Sequence, residues 1–254
     1  MITFDQAMGA MDALQITELD TSSLDDSDVL NLILQRSEII RDQDDYNSYI
    51  KAWIRNDHAP ILDLINLLGR DTLIRRAAAF IYLEFEQLKP IFDKNTPNYV
   101  ADIGCGYALF DLFLAKEYDS KLALIDLESN EFRHFGFADS GAAYSSLANT
   151  DTFLKANGVK KSKLKTYNPE TDDLGKIKKL DYAFSFISCG FHYPLSTYEQ
   201  FFHDSVRDEG RIIVDIRARE LGKTMLEVSR WGSTRALVKA ANNSADRVMI
   251  TKSL

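Results

Sequence analysis

Over residues 1–95 the apolar positions recur every three to four residues, the spacing of amphipathic helices. In the segment 23–42, Val29, Leu30, Ile33, Leu34 and Ile40 fall on helical spacing behind the acidic stretch Asp25 to Asp28, which suits a helix start. Pro60 fits a first helical turn, and the run from 59 stops at Gly69. Asp71 is placed to cap a further helix that the sequence carries to just before Pro90. No strand-like alternation interrupts this region. It reads as a helical cap or extension on a following domain, and as a lid or a homodimer surface if its outer face is used.

From Asn98 the pattern changes. Short apolar runs, 98–104, 121–128, 162–168, 180–188 and 209–217, alternate with helical stretches at 108–118, 145–158, 196–206 and 219–232. Two further runs, 234–240 and 247–253, are joined by a short polar turn and read as a closing hairpin. Strands alternating with helices predict an α/β domain over 96–254, with a mainly parallel sheet covered on both faces and an antiparallel hairpin at its end.

The first strand runs into "VADIGCGYALF", where Gly104 and Gly106 sit at a strand-to-helix turn. Glycines there let a ligand approach the backbone. A dinucleotide fingerprint would place glycine or alanine at 109, where this chain has Leu109. Asp102 precedes the glycines and suits a ligand carrying an ammonium better than a pyrophosphate. Asp126 closes the second strand about 20 residues after the turn, the spacing at which an acid reaches ribose hydroxyls. Together the two acids suit S-adenosylmethionine better than NAD.

These residues resemble the class I S-adenosylmethionine-dependent methyltransferases. The resemblance rests on "VADIGCGYA", "ALID", "LDYAFSFIS" and "EGRIIVDIR" and covers residues 98–254. It implies a Rossmann-like fold with a seven-stranded, mainly parallel sheet and a C-terminal antiparallel hairpin. It also implies that Gly104, Cys105 and Gly106 line the methionine moiety, that Asp102 places its ammonium, and that Asp126 holds the ribose with Leu127 beside it. Asn168 after the third strand would meet the adenine, with Glu170 nearby, and Ser188 would close the fourth strand at the site.

The loop after the fourth strand, "SCGFHYP", would then face the transferred methyl group. A neutral histidine suits removal of a hydroxyl proton near neutral pH, which makes His192 the candidate general base. A histidine hydrogen-bonded at a strand end would read the same way. Tyr193 would orient the acceptor or pack, and Phe191 and Pro194 would wall its pocket. The loop lacks the "[DN]-P-P-[YF]" signature of methyltransferases acting on base or amide nitrogens, and "GFHYPLSTY" with "VDIR" resembles bacterial enzymes that modify saccharides and other small molecules. The expected reaction is methyl transfer to a hydroxyl of a small molecule, a sugar being one candidate.

Composition narrows the alternatives. The net charge of −8 argues against a general nucleic-acid binder, and no apolar run reaches the length of about 18 residues needed to cross a membrane. The opening segment lacks the layout of a signal peptide, and the two cysteines, Cys105 and Cys189, make neither a disulfide framework nor a zinc site, so a cytoplasmic protein is expected. They end neighbouring strands and read as small turn-filling side chains, with a redox pair as the alternative. Asp172 and Asp173 read as a turn or helix start, with a magnesium site as the alternative; no metal is expected. His203 and Asp204 read as surface residues. The lysines of 155–165 and 176–179 are the basic concentration that an RNA or protein methyltransferase would use, but they lack interleaved aromatic residues. The stretch with Phe132, Arg133, His134, Phe135 and Phe137 reads as an insertion folding over the pocket, with His134 as a second base candidate. A non-catalytic subunit that binds S-adenosylmethionine is the remaining alternative.

Overall fold

The structure is a computed structural model that describes residues 2–127 and 145–253. The aromatic stretch with Phe132, Arg133, His134, Phe135 and Phe137 lies outside the described residues. The first part of the chain folds into α1 (Phe4–Gly9), α2 (Leu14–Thr17), α3 (Asp26–Gln35), α4 (Tyr46–Ile54), α5 (Ala59–Leu68) and α6 (Arg70–Phe92), with a 3-10 turn at Ser37–Ile40 after α3. Asp25 caps α3: its carboxylate accepts from the N–H of Ser27 and Asp28, and Asp28 returns a bond to the N–H of Asp25. Helix α5 carries Pro60 in its first turn and stops at Gly69, whose φ of 84° is left-handed.

Two expectations shift here. Helix α6 starts at Arg70, so Asp71 lies inside its first turn, where it accepts from Thr21 Oγ1 at 2.6 Å and Arg75 Nε at 2.8 Å. The helix also continues through Pro90 to Phe92. Pro90 forfeits only its own N–H near the helix end, and the burial of Leu88 and Phe92 keeps the last turn docked.

The second part supplies β1 (Tyr99–Ile103), α7 (Leu109–Tyr118), β2 (Lys121–Ile125), α8 (Leu147–Ala156), β3 (Leu164–Tyr167), β4 (Leu180–Ser185), α9 (Glu199–Ser205), β5 (Val206–Arg217), α10 (Leu221–Val228), β6 (Gly232–Ala240) and β7 (Ala245–Lys252). The seven strands form one sheet in the order β3-β2-β1-β4-β5-β7-β6. The pairings from β3 to β5 are parallel, and β7 runs antiparallel to both β5 and β6.

Alternation along the strands divides the core. Val100, Leu122, Leu124, Tyr182, Phe184 and Ile213 face one layer, packed with α3, α5, α6 and α7. Ala101, Ile103, Ala123, Ile125, Ala183 and Val214 face the other, packed with α9 and α10. The first layer is continuous from Ala7 to the sheet. Phe92 of α6 meets Tyr182 of β4 edge-on at 5.3 Å and Phe110 of α7 at 6.2 Å. Aromatic pairs of this kind add about 0.5–1.5 kcal/mol each beyond their buried area. The helical region is therefore a wall of the main core. Among the described residues no helix is long and apolar enough to cross a membrane.

Candidate active site

Strand β1 and β2 lie side by side with Ile103 opposite Ile125, which brings the turn after β1 next to the end of β2. The turn is left-handed three times, at Gly104 (φ 74°), Gly106 (φ 54°) and Ala108 (φ 53°). A Cβ on Gly104 would lie 2.0 Å from Ser188 Oγ, so only glycine fits where the β1 and β4 loops meet. The N–H of Gly106 donates to Asp126 Oδ2 at 2.7 Å, and Ser145 Oγ donates to the same oxygen at 3.1 Å. The acid after β2 thus braces the glycine turn. Burial pushes Asp126 up to about 7.

Asp102 sits at the same strand end, 4% exposed, and its Oδ1 has no hydrogen-bond partner among the described residues. Burial raises it to about 6, and the neighbouring Asp111 carboxyl, fully buried on α7, is raised well above the ordinary range by burial and by Asp102 itself. Two carboxyls in contact away from water favour one shared proton over two charges.

The loop after β4 is built on strain and hydrogen bonds. Ile187 adopts φ 51°, unfavourable for a β-branched residue, and its N–H donates to Asp215 Oδ2 at 3.2 Å. Cys189 N–H donates to Ser185 Oγ at 2.9 Å. The Ser188 carbonyl accepts from the N–H of Phe191 (3.0 Å) and His192 (2.8 Å), and Gly190 N–H donates to the Tyr193 carbonyl at 2.8 Å. His192 is thereby held in a tight turn, its ring edge-on to Phe191 at 5.0 Å. Tyr193 shares a 3.2 Å hydrogen bond with Ser188 Oγ, and burial keeps it a neutral phenol. Arg217 lies over the Phe191 ring at 4.1 Å and donates from Nε to the Phe191 carbonyl.

These elements enclose a cavity of about 680 Å³. Of the residues singled out from sequence, Asp102, Gly104, Cys105, Gly106, Asp126, Leu127, Ser188, His192 and Tyr193 all line it. Asn168 does not; its side-chain carbonyl accepts from Glu170 N–H at 3.0 Å, and the wall there is Pro169 and Glu170. Cys105 and Cys189 are free, buried thiols raised by burial. Asp172 and Asp173 accept from the backbone N–H of Asn168 and Gly175, as turn residues do. Among the described residues no group of three or more His, Cys, Asp or Glu is gathered for a metal. His203 is exposed and pairs with Asp204 at 2.8 Å.

The N-terminal helices add a wall that local sequence patterns did not disclose. Leu34, Gln35, Arg36, Glu38, Ile81 and Glu84 line the cavity. Through this wall runs an alternating chain of largely buried charges. Arg247 of β7 binds Asp215 through two bonds of 2.7 and 2.8 Å and reaches Glu84 of α6 at 3.1 Å. Arg36 binds Glu84 through two bonds of 2.8 and 3.1 Å and touches Glu38 at 3.3 Å. The two guanidinium groups hold Glu84 down at about 2. The available sequence signal was an arginine, Arg247, heading the apolar run "RVMIT".

No family model and no curated protein matches this sequence. Solved structures do match in fold. A candidate O-methyltransferase from Nostoc punctiforme superposes with a TM-score of 0.51 at 12% identity, over 71% of this chain and 59% of that one. This chain thus spans less than two thirds of the length of that protein. A methyltransferase from Geobacter sulfurreducens gives a TM-score of 0.47 at 14% identity over 66% and 78% of the two chains. An O-methyltransferase of tomaymycin synthesis from Streptomyces achromogenes, solved with S-adenosylmethionine, gives 0.47 at 13% over 67% and 80%. With its strand order, its antiparallel β7 and its glycine turn after β1, the chain has the Rossmann-like fold of the class I methyltransferases.

Proposed function

We propose that this protein is an S-adenosylmethionine-dependent methyltransferase acting on a hydroxyl of a small molecule. The observation that carries the reading is one cavity that gathers Asp102, the left-handed Gly104–Gly106 turn, Asp126 and His192. The residues fit the donor. An ammonium finds the Asp102 carboxylate, the left-handed glycines open the backbone to a close ligand, and Asp126 accepts from ribose hydroxyls.

The donor, when bound, supplies a methyl group already activated by its sulfonium. The protein's share is then alignment, exclusion of water and one proton. Phe186 and Phe110, 4.7 Å apart between ring centroids, form an apolar wall of the cavity. His192 takes the hydroxyl proton on a ring nitrogen as the acceptor oxygen attacks, and Tyr193, a neutral phenol, orients the acceptor. A sugar hydroxyl is one candidate acceptor, on the likeness of the loop after β4 to that of saccharide-modifying enzymes. The helical region 1–95 serves as a cap over the site rather than an independent module.

Calorimetry with S-adenosylmethionine, S-adenosylhomocysteine and NAD tests the donor. Binding of NAD alone would refute the reading. Donor binding without methyl transfer across a broad acceptor panel would favour a non-catalytic subunit. His192→Ala is expected to abolish turnover with donor affinity unchanged; retained turnover would remove His192 from the mechanism.

A further inference from the structure

Helix α3 ends at Gln35, directly over the glycine turn. A Cβ placed on Gly106 would lie 3.2 Å from Gln35 Oε1 and 3.6 Å from Nε2, so the amide covers the Cα face of Gly106. The N–H of the same residue points to Asp126. Asp126 and Gln35 thus meet Gly106 at different atoms, its N–H and its Cα. If Asp126 takes the ribose, the Gln35 side belongs to the other end of the ligand.

Gln35 is not what holds α3 in place. That task falls to Asp28, which accepts from Tyr107 Oη at 2.8 Å and from Asn149 Nδ2 at 3.0 Å, to Asn31, which donates to Tyr107 at 3.1 Å, and to Arg36, clamped on Glu84. The residues around Gln35 are thus fixed while its amide faces the cavity, the arrangement of a preorganised contact. The chemistry of the wall narrows its use. Asp102 attracts an ammonium but repels a carboxylate, and Arg36 is committed to Glu84 and Glu38. Arg217, the other arginine lining the cavity, lies over the Phe191 ring with its Nε given to the Phe191 carbonyl, so beside the Gly106 turn the donor offered to an amino-acid carboxylate is the neutral Gln35 amide.

We infer that Gln35 binds the amino-acid end of the methyl donor, its side-chain N–H donating to the carboxylate while Asp102 takes the ammonium. This inference rests on the donor reading above. It makes the helical region a contributor to cofactor recognition as well as a cover.

The test is calorimetric binding of two compounds to the wild-type protein and to Gln35→Ala. S-adenosylhomocysteine carries the amino-acid end; methylthioadenosine keeps the adenosine and lacks it. Gln35→Ala is expected to weaken S-adenosylhomocysteine about tenfold, the worth of one hydrogen bond to a charged group, with methylthioadenosine unchanged. The unchanged second ligand also certifies the fold of the variant. Gln35→Glu should weaken S-adenosylhomocysteine further, by setting like charges together. Equal weakening of both compounds, or no weakening of either, would overturn the inference while leaving the donor reading intact. Failure of the wild-type protein to bind either compound would remove both.

Discussion

Tyr107 of the glycine turn donates its hydroxyl to Asp28 of α3 at 2.8 Å, across 79 residues of sequence. The bond ties the glycine turn of the sheet domain to the N-terminal helices. Tyr107→Phe removes one donor from a buried carboxylate that keeps its Asn149 partner. Stability in urea should fall by about 1–3 kcal/mol. If α3 and the turn form one unit, affinity for S-adenosylhomocysteine should fall as well.

Gly104→Ala should be severe. The new Cβ meets Ser188 Oγ at 2.0 Å and sits on a φ of 74°. The backbone term alone is about 1–2 kcal/mol, and the clash adds to it. Donor affinity should drop more than about tenfold. Ser188→Gly in the same chain clears the clash but not the backbone strain, so the double variant should recover binding in part. A double-mutant cycle by calorimetry measures that coupling.

Removing Arg247 should cost more than removing any exposed charge. Arg247→Met strands Asp215 and leaves Glu84 with Arg36 alone. Breaking a buried ion pair by deleting one partner costs about 3–5 kcal/mol. Arg247→Lys keeps the charge but not the two-pronged geometry, and should fall between Met and wild type. Guanidinium denaturation curves decide the order.

The protein without ligand should lose stability as pH rises from about 4 to about 7. Asp102 and Asp126 are raised to about 6 and about 7 from 3.8, so folding favours their protonated forms. Their contribution is complete below the unfolded value and is lost as pH climbs through the folded ones. Glu84, held at about 2, acts in the opposite sense, and its contribution is lost only below its ordinary 4.5. Asp126→Asn should flatten the decline between pH 5 and 7. Thermal melting across that range reads it directly, and an unchanged slope would exclude Asp126 as its source.

The sheet was legible because its strands announce themselves. "LALID" and "RIIVDI" are short, β-rich and bounded by turns, and Gly104 and Gly106 can be placed by backbone conformation alone. That Asp102 and Asp126 flank this turn was legible for the same local reason. Pro90 misled the helix boundary, since a proline near a helix end removes little and the burial of Phe92 outweighs it. The N-terminal wall was not legible. Glu84 and Arg247 pair across 163 residues, and no periodicity links them. Asp111, set in "LFDLFL", was the quieter clue, a carboxyl where the helix pattern calls for an apolar side chain.

The order of strands sets a timetable for the charged chain behind the cavity. Strand β7 inserts between β5 and β6, and it alone carries Arg247. On a growing polypeptide, Glu84 and Asp215 are synthesised well before the cation that joins them. Until β7 docks, Asp215 lacks its cation and Glu84 keeps only Arg36, so the ionic link between the helical wall and the β4 loop is incomplete. The cavity is thus completed in a late step, and synthesis stalled before residue 247 should yield a chain whose early helices are made but whose site is still open.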